Sequence, residues 1–126
     1  MAEVVVWWAH TQDLTSTHRD WLDATERARL ARLKQREDRD RFTLGSALVR
    51  SLVAALDDTD PAGVTLDRSC ARCTEQHGPV TAPGRGWSCS VSHSGAFAVA
   101  AAAPAPARLG VDLETRCPAD WRDLLP

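Results

Sequence analysis

Residues 87–114 read "WSCSVSHSGAFAVAAAAPAPARLGVDLE". Three apolar stretches lie in this run: 87–94, 96–103 and 108–114. A Ser-Gly pair separates the first two, and a proline-rich break separates the second and third. Short apolar runs bounded by turn residues read as consecutive strands. Upstream, "EVVVWW" at 3–8 is β-branched and aromatic and reads as a further, buried strand. Between them the pattern is helical from Asp13 to Asp57. "TSTHRDWLDATERARLARL" offers Ser/Thr caps and good helix formers. "REDRDRFTLGSALVRSLVAALDD" then sets Phe42, Val49, Leu52, Val53 and Leu56 on one stripe, with Arg39, Arg41 and Arg50 mostly off it. "DPAGVTLDR" reads as a turn and a short strand, and "PADWRDLL" as one or two helical turns. The order of strand, helices and strand cluster predicts an α+β fold. It is a mixed or antiparallel sheet with helices packed on one face, and residues 1–126 form a single domain.

The bulk numbers narrow the function classes. A chain of 126 residues with 44 % hydrophobic and 25 % charged residues is an ordinary soluble composition. A net charge of −2 argues against bulk nucleic-acid binding. The charge is uneven: residues 19–50 carry nine Arg/Lys against six Asp/Glu, and residues 57–126 carry six against nine. The basic helical region suits either a solvated face or an anionic small ligand. "MAEVVVWWAH" lacks the basic start of a signal peptide, and no apolar run is long enough to span a bilayer, so no membrane partner is expected. The expected location is the cytoplasm, with Cys70, Cys73, Cys89 and Cys117 as thiols.

Four short features could carry chemistry. In an extended "GVDLE", Asp112 and Glu114 face one side and Val111 and Leu113 the other. Two convergent carboxylates suit a hard cation such as Mg²⁺, or two unremarkable acids at a strand end. "SVSHSG" ends a strand in Ser92, His93, Ser94 and Gly95, which suits phosphate contact or a plain hairpin turn. "CARC" is a half-site spacing for zinc, with Cys70, Cys73, His77 and Cys89 as the possible ligands, or a loop with two thiols. "REDRDRF" is either a face of ion pairs or a means of aiming Arg41 at a phosphate near Gly45, a glycine whose place in mid-helix suggests close packing there.

In order and rough spacing, "ERARLARLKQREDRDRFTLGSALVR", "CARCTEQHGP", "SVSHSG" and "GVDLE" resemble the Sfp-type 4′-phosphopantetheinyl transferases. The resemblance implies transfer of the 4′-phosphopantetheine arm of coenzyme A to a serine of an acyl or peptidyl carrier protein, with Mg²⁺. It implies Asp112 and Glu114 as metal ligands and catalytic groups. It implies Ser92 and His93 at the coenzyme's phosphates, and Arg41 and Arg29 near its 3′-phosphate. The pattern departs at "HGPV", where Pro79 stands in place of a basic residue. The family is built as a pseudo-dimer of two similar halves, and the second half's W-x-x-K-E-[AS] stretch is not found after Glu114. The expectation is therefore an incomplete transferase comprising the first half and the start of the second, weak or inactive alone and in need of a C-terminal half. Two other readings stand beside it: a non-catalytic relative that binds coenzyme A or a carrier, and a small zinc-binding interaction domain.

Overall fold

The structure, a computed structural model, describes residues 3–73, 75–76 and 78–114. Strand β1 (Val5–His10) leads through a short 3₁₀ turn to helices α1 (Ser16–Asp20), α2 (Ala24–Arg32) and α3 (Arg36–Asp57). A loop-rich crossing then reaches β2 (Trp87–Ser94) and β3 (Phe97–Pro104). The three strands form one antiparallel sheet in the order β1–β3–β2. This is the α+β architecture that the pattern predicts.

The sheet turns on β3. Gly95, at φ +58°, holds the first central position of the two-residue β2–β3 turn, a conformation that favours glycine. The register pairs Ser94 with Phe97 and Ser92 with Val99. Because side chains alternate, Ala98, Ala100 and Ala102 face α3, and all three are fully buried. Their small size lets α3 lie close. It packs there through Leu48, Val49, Leu52 and Val53. Gly45 marks a second close approach: a Cβ there would stand 3.3 Å from Val91 Cγ2 and 4.0 Å from His93 Cδ2. At the far end of the helix, the Trp87 indole N–H donates to Asp57 Oδ1 at 2.7 Å, and Arg85 joins the same carboxylate at 3.3 Å.

Four sequence expectations need correction. Residues 108–114 are extended but form no strand, because the N–H groups of Val111 and Leu113 go to side-chain hydroxyls of β2 and not to a carbonyl ladder. β1 is not buried: Trp8 is 72 % and Val6 43 % exposed, since the helices cover only the other face of the sheet. "DPAGVTLDR" yields a 3₁₀ turn (Pro61–Gly63) and a single bridge from Asp67 to Thr81, not a strand. Arg50 is not off the buried stripe but almost fully enclosed. "PADWRDLL", His77 and Cys117 lie outside the described residues.

Arg50 is buried because Glu26 meets it. Its guanidinium donates to both carboxylate oxygens, at 2.9 and 2.6 Å, and to the Val64 carbonyl at 3.0 Å. Arg68 reaches Glu26 Oε2 at 3.4 Å and Ser46 Oγ at 3.1 Å. Glu26 also closes a capping box with Asp23 at the start of α2. Burial raises the Glu26 pKa, but the Arg50 hydrogen bonds, the backbone N–H donor and the Arg50 charge outweigh it, and the net shift is downward.

Glu26→Ala leaves two guanidiniums facing a void and is expected to cost about 3–5 kcal/mol, read by urea unfolding. A carboxylate depressed in the folded state stabilises above its unfolded pKa and loses that contribution as pH falls through the folded one. Wild type should therefore lose stability on acidification below the usual carboxylate range. Glu26→Gln should show a smaller loss over the same interval.

Candidate functional site

β2 separates two groups of candidate residues. On the helix side His93 stands beside Gly45 of α3, one turn from Arg41. Arg41 donates to the Gly95 carbonyl at 3.0 Å and forms a short ion pair with Asp38. Desolvation first, then the charges of Arg41 and Arg29, push the His93 pKa down, against the opposing carboxylate of Asp38. Its imidazole is thus held toward the neutral form within a cationic surrounding.

Arg29 lies one turn beyond Glu26 on α2. It donates to the Gln76 carbonyl at 2.9 Å, and its guanidinium lies 5.1 Å from the Phe42 ring centre. Arg68 stacks near the same ring at 5.3 Å. Gln76 is itself held from both sides, accepting from the Arg68 N–H at 3.0 Å and donating to Asp67 at 3.2 Å. Between α2 and this loop is a cleft of about 660 Å³, with Ala24, Ala28 and Leu33 as its apolar floor and Arg29, Arg32, Glu75 and Gln76 around it. Of the described residues singled out by sequence, Arg29 lines that cleft.

On the other side of β2, serines 88, 90, 92 and 94 share one face by strand alternation. Ser90 Oγ accepts the Val111 N–H at 3.0 Å, and Ser92 Oγ accepts the Leu113 N–H at 3.1 Å. The Ser92 hydroxyl also approaches Asp112 Oδ1 at 3.4 Å. Asp112 and Glu114 are exposed, alternating with half-buried Val111 and Leu113. The serine ladder therefore fixes the run that carries the acids without a β-ladder. Among the described residues no three His, Cys, Asp or Glu side chains converge as a metal site. The donor set of Asp112 and Glu114, two exposed oxygen ligands, fits a hard cation that takes its remaining ligands from water and phosphate.

The structure thus brings Ser92 to Asp112, and His93 to Arg41 with Arg29 nearby. Ser92 and His93 point to opposite faces, so the groups flank a single strand. Ser90, Asp38 and Gln76 complete these contacts without having been singled out from sequence, and Phe42, read there as a residue of the apolar stripe, joins them. The period-two serines of "WSCSVSHS" were the available signal for Ser90. Cys89 faces the helix side, and burial raises its thiol pKa.

A helix-backed antiparallel sheet with this topology is consistent with one half of the phosphopantetheinyl transferase fold. The family model for the N-terminal domain of 4′-phosphopantetheinyl transferases matches residues 6–105, and the chain belongs to that family. No curated protein matches it. The match ends before Asp112 and Glu114, so it covers the sheet, the helices and the basic flank but not the paired acids.

Replacing both Ser90 and Ser92 with Ala should release the 108–114 run. The Val111 and Leu113 amides are then expected to exchange with deuterium at least about tenfold faster, the loss of roughly 1.4 kcal/mol of local protection, while amides of α3 stay unchanged. Equal protection in the double variant would show that the hydroxyls do not hold the run.

Proposed function

We propose that this chain supplies the coenzyme-binding half of a 4′-phosphopantetheinyl transferase that moves the phosphopantetheine arm of coenzyme A to a carrier-protein serine. The observation that carries this reading is the family match over residues 6–105, joined to the Ser92–Asp112 contact that ties the paired acids to the matched domain. In this reading Arg41 and Arg29, with His93 beside them, take the 3′-phosphate of the coenzyme on the helix side of β2, and its pyrophosphate reaches the side of the paired acids. Ser92 positions Asp112, and Asp112 with Glu114 would hold Mg²⁺. That ion, when bound, supplies neutralisation of the pyrophosphate charge. The carrier hydroxyl gives up its proton to solvent as its oxygen bonds to the β-phosphorus, the pyrophosphate P–O bond breaks, and adenosine 3′,5′-bisphosphate leaves. Positioning and charge complementarity provide most of the acceleration in such transfers.

The matched model describes an N-terminal domain, which supports a second domain as the partner. The outer sheet face offers a place for it, since Val6, Trp8 and Phe97 are exposed there. Membership of the family disfavours an independent zinc-binding interaction module as the chain's role. Among the described residues, no helix is long and apolar enough to cross a membrane.

The test mixes the 126-residue chain, Mg²⁺, coenzyme A and an apo carrier protein, and weighs the carrier by mass spectrometry. Little conversion is expected from the chain alone, and conversion is expected when a family C-terminal domain is fused or added. Asp112→Ala should then lower the rate about a hundredfold, the loss typical of one charge-stabilising group. No conversion after complementation would contradict the proposal. Full conversion by the chain alone would contradict the need for a second domain.

A further inference from the structure

The transfer chemistry above uses Arg29 and Arg41 and leaves much of the basic surplus of residues 19–50 without a role. Four of the remaining cations converge on one place. The end of α1, the end of α2 and the start of α3 border a cavity of about 410 Å³, lined by Arg19, Lys34, Arg36 and Arg39, with Asp40 the one carboxylate in that lining. Leu30 of α2 and the buried Thr43 of α3 complete it. Arg36, Arg39, Asp40 and Thr43 follow the three- and four-residue spacing of a single helix face. With about 100° between successive residues, Arg41 and Gly45 fall on the opposite face of α3, toward β2. The cavity and the Arg41–His93 group therefore lie on different sides of the helix. Its frame is tied together from within. The Arg27 guanidinium donates to the Leu22 carbonyl at 3.0 Å and to the Arg19 carbonyl at 3.1 Å, which fastens the end of α1 to α2. Thr43 Oγ1 donates to the Arg39 carbonyl at 2.9 Å.

We propose that this three-helix cavity binds a small phosphate-bearing molecule, at a site separate from the coenzyme's. Four cations and one carboxylate leave the lining with a charge of +3. Asp40 is engaged only loosely, by Arg36 Nε at 3.7 Å and Arg19 Nη2 at 4.0 Å. Exposed pairs at such distances contribute little. Among the described residues, neither Lys34 nor Arg39 has a carboxylate within ion-pair distance. Like charges brought together from three helices repel, and a multivalent anion between them removes that repulsion. Three of the four are guanidiniums, whose planar forks match phosphate oxygens. A phosphate monoester carries close to two charges and three strong acceptor oxygens, so it can engage more than one fork at once. The volume falls in the range of small-molecule sites, about 300–1,000 Å³, and Leu30 gives the organic part an apolar contact. A nucleic acid fits less well, because the cations are gathered in one concavity of a chain whose net charge is −2.

The experiment titrates the full chain, free of Mg²⁺, with inorganic pyrophosphate and follows backbone amides by NMR, against sodium chloride at matched ionic strength. The amides of Leu30, Lys34, Arg39 and Thr43 should shift and saturate with pyrophosphate and not with chloride. Lys34→Gln and Arg39→Gln should each weaken that binding about fivefold, the effect of one unit charge at contact distance in water. Asp40→Asn removes the opposing charge and should tighten it by a similar factor. Arg41→Gln should leave the affinity read at these four amides unchanged, which separates the cavity from the coenzyme's side of α3. Circular dichroism establishes that each variant is folded, and the wild-type titration needs no variant. A short oligoglutamate that binds here more tightly than pyrophosphate would assign the cavity to an acidic protein segment and overturn the proposal. Absence of saturable shifts, equal shifts with chloride, unchanged affinity in both Lys34→Gln and Arg39→Gln, or weaker binding in Asp40→Asn would each overturn it as well.

Discussion

The buried carboxylate of Glu26 is the contact on which the rest of the arrangement depends. It draws Arg50 out of α3 and Arg68 out of the hairpin toward the start of α2, so three separate segments share one charge. An unpaired guanidinium at the burial of Arg50 would be prohibitively costly. With Glu26 in place the two cations are satisfied, and no buried side-chain polar atom among the described residues lacks a partner. The consequence reaches the candidate site. Arg29 projects from the turn of α2 that follows Glu26, and Arg68 orders Gln76, which Arg29 grips. Electrostatic design inside the domain thereby sets the position of the basic residues outside it.

Small residues provide the second constraint. The alanines of β3 leave no bulk between sheet and α3, and Gly45 lets β2 approach the same helix. His93 and Arg41 come together through that closeness. A larger residue at either position would lift the helix and separate the imidazole from the guanidinium. The same strand serves two chemistries because its side chains alternate. The imidazole faces the helix, and the serine hydroxyls face the run that ends in Asp112 and Glu114.

Much of this was legible in the sequence. The turn glycine at 95 and the stripe of Val49, Leu52 and Val53 identify the β2–β3 hairpin and the long helix, because both follow from local periodicity. "GVDLE" has the alternation of a strand, yet its amides bond to hydroxyls, a choice that depends on tertiary placement. Arg50 has the look of a solvated charge, and only the partner 24 residues earlier makes its burial possible. "EVVVWW" has the composition of a buried strand, but hydrophobicity alone does not say whether anything covers its second face. The site was legible as residue types in order. That Ser92 and His93 act on opposite sides of β2 follows from strand alternation, but the contacts each makes required the fold.

The central claim of the proposal is that the coenzyme's 3′-phosphate lies against the Arg41–His93 side of β2 while the paired acids on the other side hold the metal of its pyrophosphate. The most direct test follows the His93 ring by NMR across pH, with and without coenzyme A and Mg²⁺. In the free chain the imidazole should titrate below the ordinary histidine value, held down by desolvation and by Arg41 and Arg29. A phosphate at Arg41 adds negative charge beside the ring and favours the protonated form, so its pKa should rise on binding. Asp112→Asn should reduce that rise at a given coenzyme concentration. An unchanged His93 titration at saturating coenzyme would contradict the account.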